Sequence, residues 1–352
     1  MKTLMKGNEA ISQAAIVAGC KAFFGYPITP QNEIPEYMSA AMVNAGRVFV
    51  QAESEVAAIN MIYGGAAAGV RVMTSSSSPG IALKQEGISY LAAAKLPCVI
   101  VSVMRCGPGL GGILPSQSDY FQVVKGGGNG DYYTPVYAPN SVQESVDLTI
   151  KAFDIADKYR TPVFVVVDGT LGQMMEPVEF KPVTPYQIDV DSFATNGQSG
   201  KRGYRNMVNS LNLSAIGLEK SNFELKATYD EIRKNEAMYE SSVKDGDEIA
   251  LVAYGVPSRI ALNAVKALND KGVKAGLIRP ITLWPFPDEA FKLPASVKIV
   301  LVCELSMGQM IDDVRLALNG SVPAHFYGRT GGVIFEPEEL VDAAIKVVGG
   351  GK

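Results

Sequence analysis

The chain of 352 residues is long for a single hydrophobic core and predicts two domains with a connection between them. Apolar residues make up 47% of it, enough for substantial cores, and a net charge of −4 gives no electrostatic attraction to nucleic acid or an anionic membrane. The cysteines Cys20, Cys98, Cys106 and Cys303 form no CxxC pair and His325 is the one histidine, so no disulfide, iron–sulfur, zinc or other metal site is expected in this chain.

The opening Met1–Glu9 has no apolar stretch and meets an acid early, so no secretory leader is expected. A helix is predicted over Asn8–Ala18, then strands over Ala22–Tyr26 and Val48–Gln51 and a helix over Val56–Ala68. Further strands are predicted over Val70–Thr74, Pro97–Val103, Thr134–Ala138 and Pro162–Val167. Runs such as Val99-Ile100-Val101-Ser102-Val103 lack polar alternation, which suits strands buried on both faces. Strands alternating with helices predict a parallel sheet wrapped by helices. The most apolar stretch, Leu91–Met104, is broken by Lys95 and Pro97, so no membrane span is expected and a cytoplasmic location is.

From Thr184 the chain turns polar, with a loop-rich stretch over 192–217 and a charged helix predicted over Glu219–Lys244. A second α/β unit starts at Asp247, with strands over Ile249–Tyr254, Val273–Ile278 and Val297–Cys303 and a helix over Ser258–Lys271. Pro280–Pro287 holds three prolines and is expected to be an ordered loop. The predicted division is therefore 1–183, a connection over 184–246, and 247–352. His325 falls in a predicted strand, and without a GxSxG elbow a Ser-His-Asp hydrolase has no support.

Ligands of open parallel sheets bind beyond the carboxyl ends of the strands, so the residues at each strand exit are the candidates. The first exit is Gly25-Tyr26-Pro27-Ile28-Thr29-Pro30, a threonine held between prolines. The second is Glu53-Ser54-Glu55, and the third Thr74-Ser75-Ser76-Ser77-Ser78-Pro79-Gly80. Arg105 follows the fourth. Each has an ordinary structural explanation: serines cap helices, a glutamate in a first turn complements the helix dipole, and an arginine decorates a strand exit. Together they would form a crevice for a small anion and a polar cofactor, with arginine offering a bidentate fork to a carboxylate.

The stretch Gly25–Pro30, the Ser54-Glu55 helix start, Arg105-Cys106-Gly107-Pro108 and Pro115-Ser116-Gln117-Ser118-Asp119 resemble the α subunit of 2-oxoacid:ferredoxin oxidoreductases. Tyr254-Gly255, Arg279-Pro280 and Glu304-Leu305-Ser306-Met307-Gly308-Gln309-Met310 extend the resemblance along essentially the whole chain. It implies two parallel-sheet domains: a thiamine-enzyme pyrimidine-binding domain, then a transketolase C-terminal-like domain. Thiamine diphosphate would be shared with a partner β subunit that holds the diphosphate and Mg²⁺. Iron–sulfur clusters would sit on a further, ferredoxin-like subunit that passes electrons to ferredoxin, and coenzyme A would accept the acyl group. The sequence agrees by omission, since Gly130-Asp131-Tyr132 departs from the Gly-Asp-Gly that opens the usual magnesium–diphosphate signature.

In such enzymes the cofactor is the electron sink, and the protein supplies a carboxylate to a pyrimidine ring nitrogen. Glu55 matches the family's carboxylate, with Glu53 as the alternative. Arg105 matches its substrate-carboxylate arginine and Thr29 its hydroxyl near the reacting carbonyl. The 117–122 and 126–132 segments look most like the branched-chain (3-methyl-2-oxobutanoate, 2-oxoisovalerate) type. A 2-oxoglutarate type, the β-type component of an NAD-linked 2-oxoacid dehydrogenase, and a non-catalytic scaffold subunit are the competing readings.

Overall fold

The computed structural model describes residues 2–197 and 202–350. In chain order the first part holds β1 (Thr3–Lys6), α1 (Gly7–Val17), β2 (Ala22–Gly25), α2 (Glu33–Asn44), β3 (Val48–Gln51), α3 (Glu55–Ala67), β4 (Val72–Ser76) and α4 (Ser78–Ala93). It continues through β5 (Cys98–Met104), α5 (Tyr120–Val124), β6 (Val136–Tyr137), α6 (Val142–Tyr159), β7 (Pro162–Asp168), α7 (Gly169–Gln173) and β8 (Met175–Val178). After α8 (Ala215–Asn235) come β9 (Tyr239–Ser241), β10 (Ile249–Val252), α9 (Gly255–Asp270), β11 (Ala275–Pro280), β12 (Thr282–Trp284), β13 (Ile299–Glu304), α10 (Met310–Leu318), β14 (Ala324–Gly328) and α11 (Pro337–Val348).

Two mostly parallel sheets organise these elements. The larger has seven strands in the order β12-β6-β7-β5-β4-β2-β3, parallel except where β12 meets β6. Every residue of β5 and β7 is buried, as expected for central strands covered on both faces. The smaller sheet runs β14-β13-β10-β11-β9 and is parallel except at β9. A ribbon of β1 and β8 ties the ends of the first α/β run together.

The sequence reading misses the β1–β8 ribbon and differs from the structure at two further places. Pro280–Pro287 is not wholly loop, because Thr282–Trp284 forms β12 and closes the edge of the larger sheet on Val136 and Tyr137. The charged helix occupies Ala215–Asn235, with Ser214 capping it through Gly217 N–H (3.1 Å), and does not reach Lys244. It stops because the following backbone is used elsewhere. Ile281 N–H donates to Met238 O (2.9 Å), Met238 N–H donates to Thr282 Oγ1 (2.9 Å), and Tyr239–Ser241 then pairs with β11. His325 lies exposed on β14. All four cysteines are buried free thiols, and burial pushes the Cys20 thiol up to about 12.

Candidate active site

The larger sheet has a topological switch at β2. The chain passes outward to β3 and then returns to β4 on the opposite flank of β2. With right-handed crossovers the two connections run on opposite faces, so the exits of β2 and β4 diverge and leave a crevice. The buried Gln31 side chain bridges it, donating to Tyr26 O (3.0 Å) and accepting from Ser75 Oγ (2.5 Å). Thr29, on the loop after β2, is half-buried, and its hydroxyl accepts from Asn32 Nδ2 (3.3 Å).

Arg105 is the residue that follows β5, and it is only 7% exposed. Its guanidinium donates to the carbonyls of Thr29 (2.9 Å) and Leu110 (3.1 Å), while Nε has no partner. Among the described residues no carboxylate forms an ion pair with it. Its backbone N–H donates to Ser78 Oγ (3.0 Å), and the Ser78 hydroxyl donates to Asp119. Burial pushes the Asp119 carboxyl up to about 6, against the lowering effects of Ser78 and Arg105. Two of the sequence candidates, Thr29 and Arg105, are thus joined directly.

Glu55 opens α3 behind Ser54, whose side chain caps the helix through Ala57 N–H (3.1 Å). It is 7% exposed, whereas Glu53 lies in solvent. Gly80, in the first turn of α4, is pressed against it. A Cβ on Gly80 would lie 2.7 Å from Glu55 Oε1 and 2.1 Å from Ser76 Oγ, so no larger residue fits there without rearrangement. No hydrogen-bond donor reaches the Glu55 carboxylate among the described residues. The hydroxyls of Ser76 and Ser77 are also buried without partners, and Ser77 does not cap α4. Glu55 makes no hydrogen bond with Thr29 or Arg105.

Two buried hydroxyls and a guanidinium nitrogen without partners lie at exits of one sheet, with the mostly buried Glu55 carboxylate, which accepts no hydrogen bond among the described residues. Such orphans are rare in native interiors and here fit a polar heterocycle with hydrogen-bonding ring nitrogens together with an anionic substrate. Gln31, Gly80, Lys84 and Asp119 complete this region and were not singled out from the sequence. Asp119 lay within a quoted motif, and Gly80 stood at the end of the serine run.

The motifs of the second unit do something different. Glu304, at the end of β13, is fully buried and accepts from the backbone N–H of Gln309, Met310 and Ile311 and from the Ser306 hydroxyl at 3.0–3.1 Å. Burial still pushes its carboxyl up. Gln117 joins the two units, donating to Tyr254 O (3.0 Å) and accepting from Leu305 N–H (2.9 Å). Arg279 grips Glu144 with two 2.6 Å bonds. Gln117 and Arg279 thus tie the two units together, while Glu304 is satisfied within its own.

Two α/β units with a partner-free polar crevice at the switch point of the first define a thiamine-enzyme type of architecture. Residues 13–248 match the family described as pyruvate flavodoxin/ferredoxin oxidoreductase, thiamine diphosphate-binding, and residues 247–340 match pyruvate:ferredoxin oxidoreductase core domain II. The chain is 49% identical to ketoisovalerate oxidoreductase subunit VorB of Methanothermobacter thermautotrophicus, over 98% of each protein. A solved 2-oxoglutarate:ferredoxin oxidoreductase from Magnetococcus marinus superposes with a TM-score of 0.90 at 26% identity, covering 99% of this chain and 65% of that one. A split-gene transketolase matches in fold alone, with a TM-score of 0.61 at 15% identity and 98% of each chain covered. The chain therefore belongs to the 2-oxoacid:ferredoxin oxidoreductase family, whose members work as multi-subunit enzymes. No helix among the described residues is long and apolar enough to cross a membrane.

Proposed function

We propose that this chain is the subunit of a branched-chain 2-oxoacid:ferredoxin oxidoreductase that binds the substrate carboxylate and the pyrimidine half of a shared thiamine diphosphate. The complex would convert 3-methyl-2-oxobutanoate to its acyl-CoA with loss of CO₂ and transfer of electrons to ferredoxin. The observation that carries the reading is Arg105, a buried cation held by two backbone carbonyls that forms no ion pair among the described residues, with Asp119 acting on it only through Ser78 and at longer range. A buried charge without a partner is costly, and a substrate carboxylate supplies the missing one.

Glu55 would hold a pyrimidine ring nitrogen, Thr29 would lie near the reacting carbonyl, and Arg105 would bind the carboxylate. Bound there, the cofactor supplies the carbanion equivalent and the electron sink. The protein's part is to fix the proton at the ring nitrogen, orient the 2-oxo acid and keep its carboxylate paired. Residues 1–183 are read as the pyrimidine-binding domain, 184–246 as the connection and 247–352 as the transketolase C-terminal-like domain, in a cytoplasmic complex. The partners are a β subunit carrying the diphosphate and Mg²⁺, an iron–sulfur subunit, ferredoxin and coenzyme A.

An apolar 2-oxo acid is favoured by the loop after Arg105. Leu110 accepts the Arg105 bond through its carbonyl and leaves its side chain 83% exposed, with Ile113 and Leu114 exposed beside it in sequence. A dicarboxylate such as 2-oxoglutarate remains the second reading, motivated by the substrate of the superposed structure. Assay of the reconstituted complex against pyruvate, 2-oxoglutarate and 3-methyl-2-oxobutanoate decides between them. Activity confined to 2-oxoglutarate would overturn the branched-chain reading, and co-purification with a lipoyl acyltransferase core would overturn the ferredoxin coupling.

A further inference from the structure

Lys84 borders the site, has no role assigned so far, and is 0% exposed. Its ammonium donates a single hydrogen bond, 3.1 Å to Thr74 Oγ1. An ammonium carries three donors, and burying it without a carboxylate close by is unfavourable. Among the described residues no carboxylate forms an ion pair with it, and the packing around α4 leads to Glu55. Lys84 stands four residues after Gly80 on α4 and so shares its face one turn deeper. Gly80 is the residue pressed on Glu55 Oε1. Thr74 is two residues before Ser76 on β4, hence on the same face of the strand, and Ser76 Oγ also crowds Gly80.

The elements packed on α4 carry few ionisable groups: Glu55 and Tyr63 on α3, Cys98 on β5 and Asp168 on β7, with none on β4. Asp119 contacts the start of α4 through Ser78, and Glu86 and Tyr90 lie on α4 itself. Of these, Glu55 is the group whose charge acts on Lys84.

We propose that Lys84 is a positioning residue for Glu55, a buried counter-charge behind the carboxylate that keeps it fixed at the crevice without taking its hydrogen-bonding edge. The proposal rests on the role of Glu55 given above. Burial pushes the ammonium down to about 8 while the Glu55 charge works against that shift. The counter-charge is therefore present at neutral pH and disappears as the pH rises through about 8.

Two measurements test this. The first follows Lys84 by NMR in the full chain labelled with ¹³C at lysine Cε. Its titration should fall by about one unit in Glu55→Gln, and an unmoved titration would refute the pairing whatever the cofactor does. The second follows proton exchange at the thiazolium C2 of thiamine diphosphate in the assembled complex. Lys84→Met should slow exchange about tenfold at pH 7, abolish the inflection near pH 8, and have no further effect in a Glu55→Gln background. A Lys84→Met profile superimposable on the parent overturns the positioning role, even if the NMR pairing holds. If the titration moves but Glu55→Gln itself exchanges at the parent rate, the failure lies in the role assigned to Glu55. The NMR arm requires no substitution of Lys84, so a Lys84→Met chain that does not fold leaves the pairing open to refutation.

Discussion

Glu55 and Glu304 are both buried glutamates at the carboxyl end of a sheet, one opening a helix and the other folded back on one. Glu304 is saturated, with three backbone N–H groups and a hydroxyl turned toward it. Glu55 accepts no hydrogen bond among the described residues, and the Lys84 charge acts on it from a distance. Burial of an ionised group is tolerated where its hydrogen bonds are satisfied internally, and an unsatisfied one marks a place where a ligand completes the set. The same contrast separates the arginines. Arg279 is gripped by Glu144 with Glu240 beside it, whereas Arg105 donates to carbonyls and forms no ion pair among the described residues. One sheet edge is finished by the fold and the other is left for a ligand.

The sharpest way to break that contrast is Glu55→Gln. The fold should survive, since no protein hydrogen bond is lost, while C2 proton exchange in the complex slows by two to four orders of magnitude, roughly the value of a positioned acid–base group. A melting temperature lowered as far as the rate would show that Glu55 is structural. Next in size is Arg105→Ala. It should raise KM for every 2-oxo acid by up to about two orders of magnitude, near 2–3 kcal/mol for a charged hydrogen bond, with thiamine diphosphate affinity little changed. Arg105→Lys should fall between, because it keeps the charge and loses the fork. Loss of cofactor binding with an unchanged KM would assign Arg105 to the cofactor.

On the finished edge the effects should be on stability. Glu304→Gln replaces an acceptor facing three N–H donors with a group half of which is itself a donor, at a cost of about 2–3 kcal/mol. A lowered urea midpoint would show it. Gln117→Ala should cost somewhat less, about 1–2 kcal/mol, by stranding the Tyr254 carbonyl and the Leu305 N–H at the junction of the units. In the assembled complex KM should stay within about twofold for both variants at a temperature where they are folded. A large KM change would erase the distinction between the two edges.

Central strands such as β5 and β7 were legible because continuous apolar runs leave little choice but burial on both faces. β9 and β12 were not, being three residues each and set by partners that local sequence does not contain, the backbone of Met238 above all. Thr29, Glu55 and Arg105 stood out as chemical groups at strand exits. Lys84 did not, since a lysine in a helix normally reads as a solvated position. Its one local sign is its spacing on α4, four residues after Gly80 and four before Ile88 on the buried side, opposite the exposed Leu83, Glu86 and Tyr90. Gln117, Glu304 and Arg279 were picked out by resemblance alone, and what distinguishes them from site residues is that their charges and amides are paired within the fold, which only coordinates reveal.

The smallest expected effect is the most discriminating for the site. Glu53 and Glu55 are two residues apart, and sequence alone left both as candidates for the activating carboxylate. In the fold Glu53 lies in solvent before the Ser54 cap, while Glu55 is buried against Gly80. An exposed carboxylate near a helix N-terminus contributes about 0.3–1 kcal/mol through the dipole and is screened by salt. Glu53→Gln should therefore leave C2 exchange in the complex within about twofold of the parent and shift the melting temperature only slightly. The Gly80→Ala variant is the companion experiment. Its Cβ would press on Glu55 and Ser76, so exchange should fall there although neither acid is altered. If Glu53→Gln abolishes exchange and Gly80→Ala does not, the activating carboxylate lies two residues upstream, and the unsatisfied edge of Glu55 must be explained by another ligand.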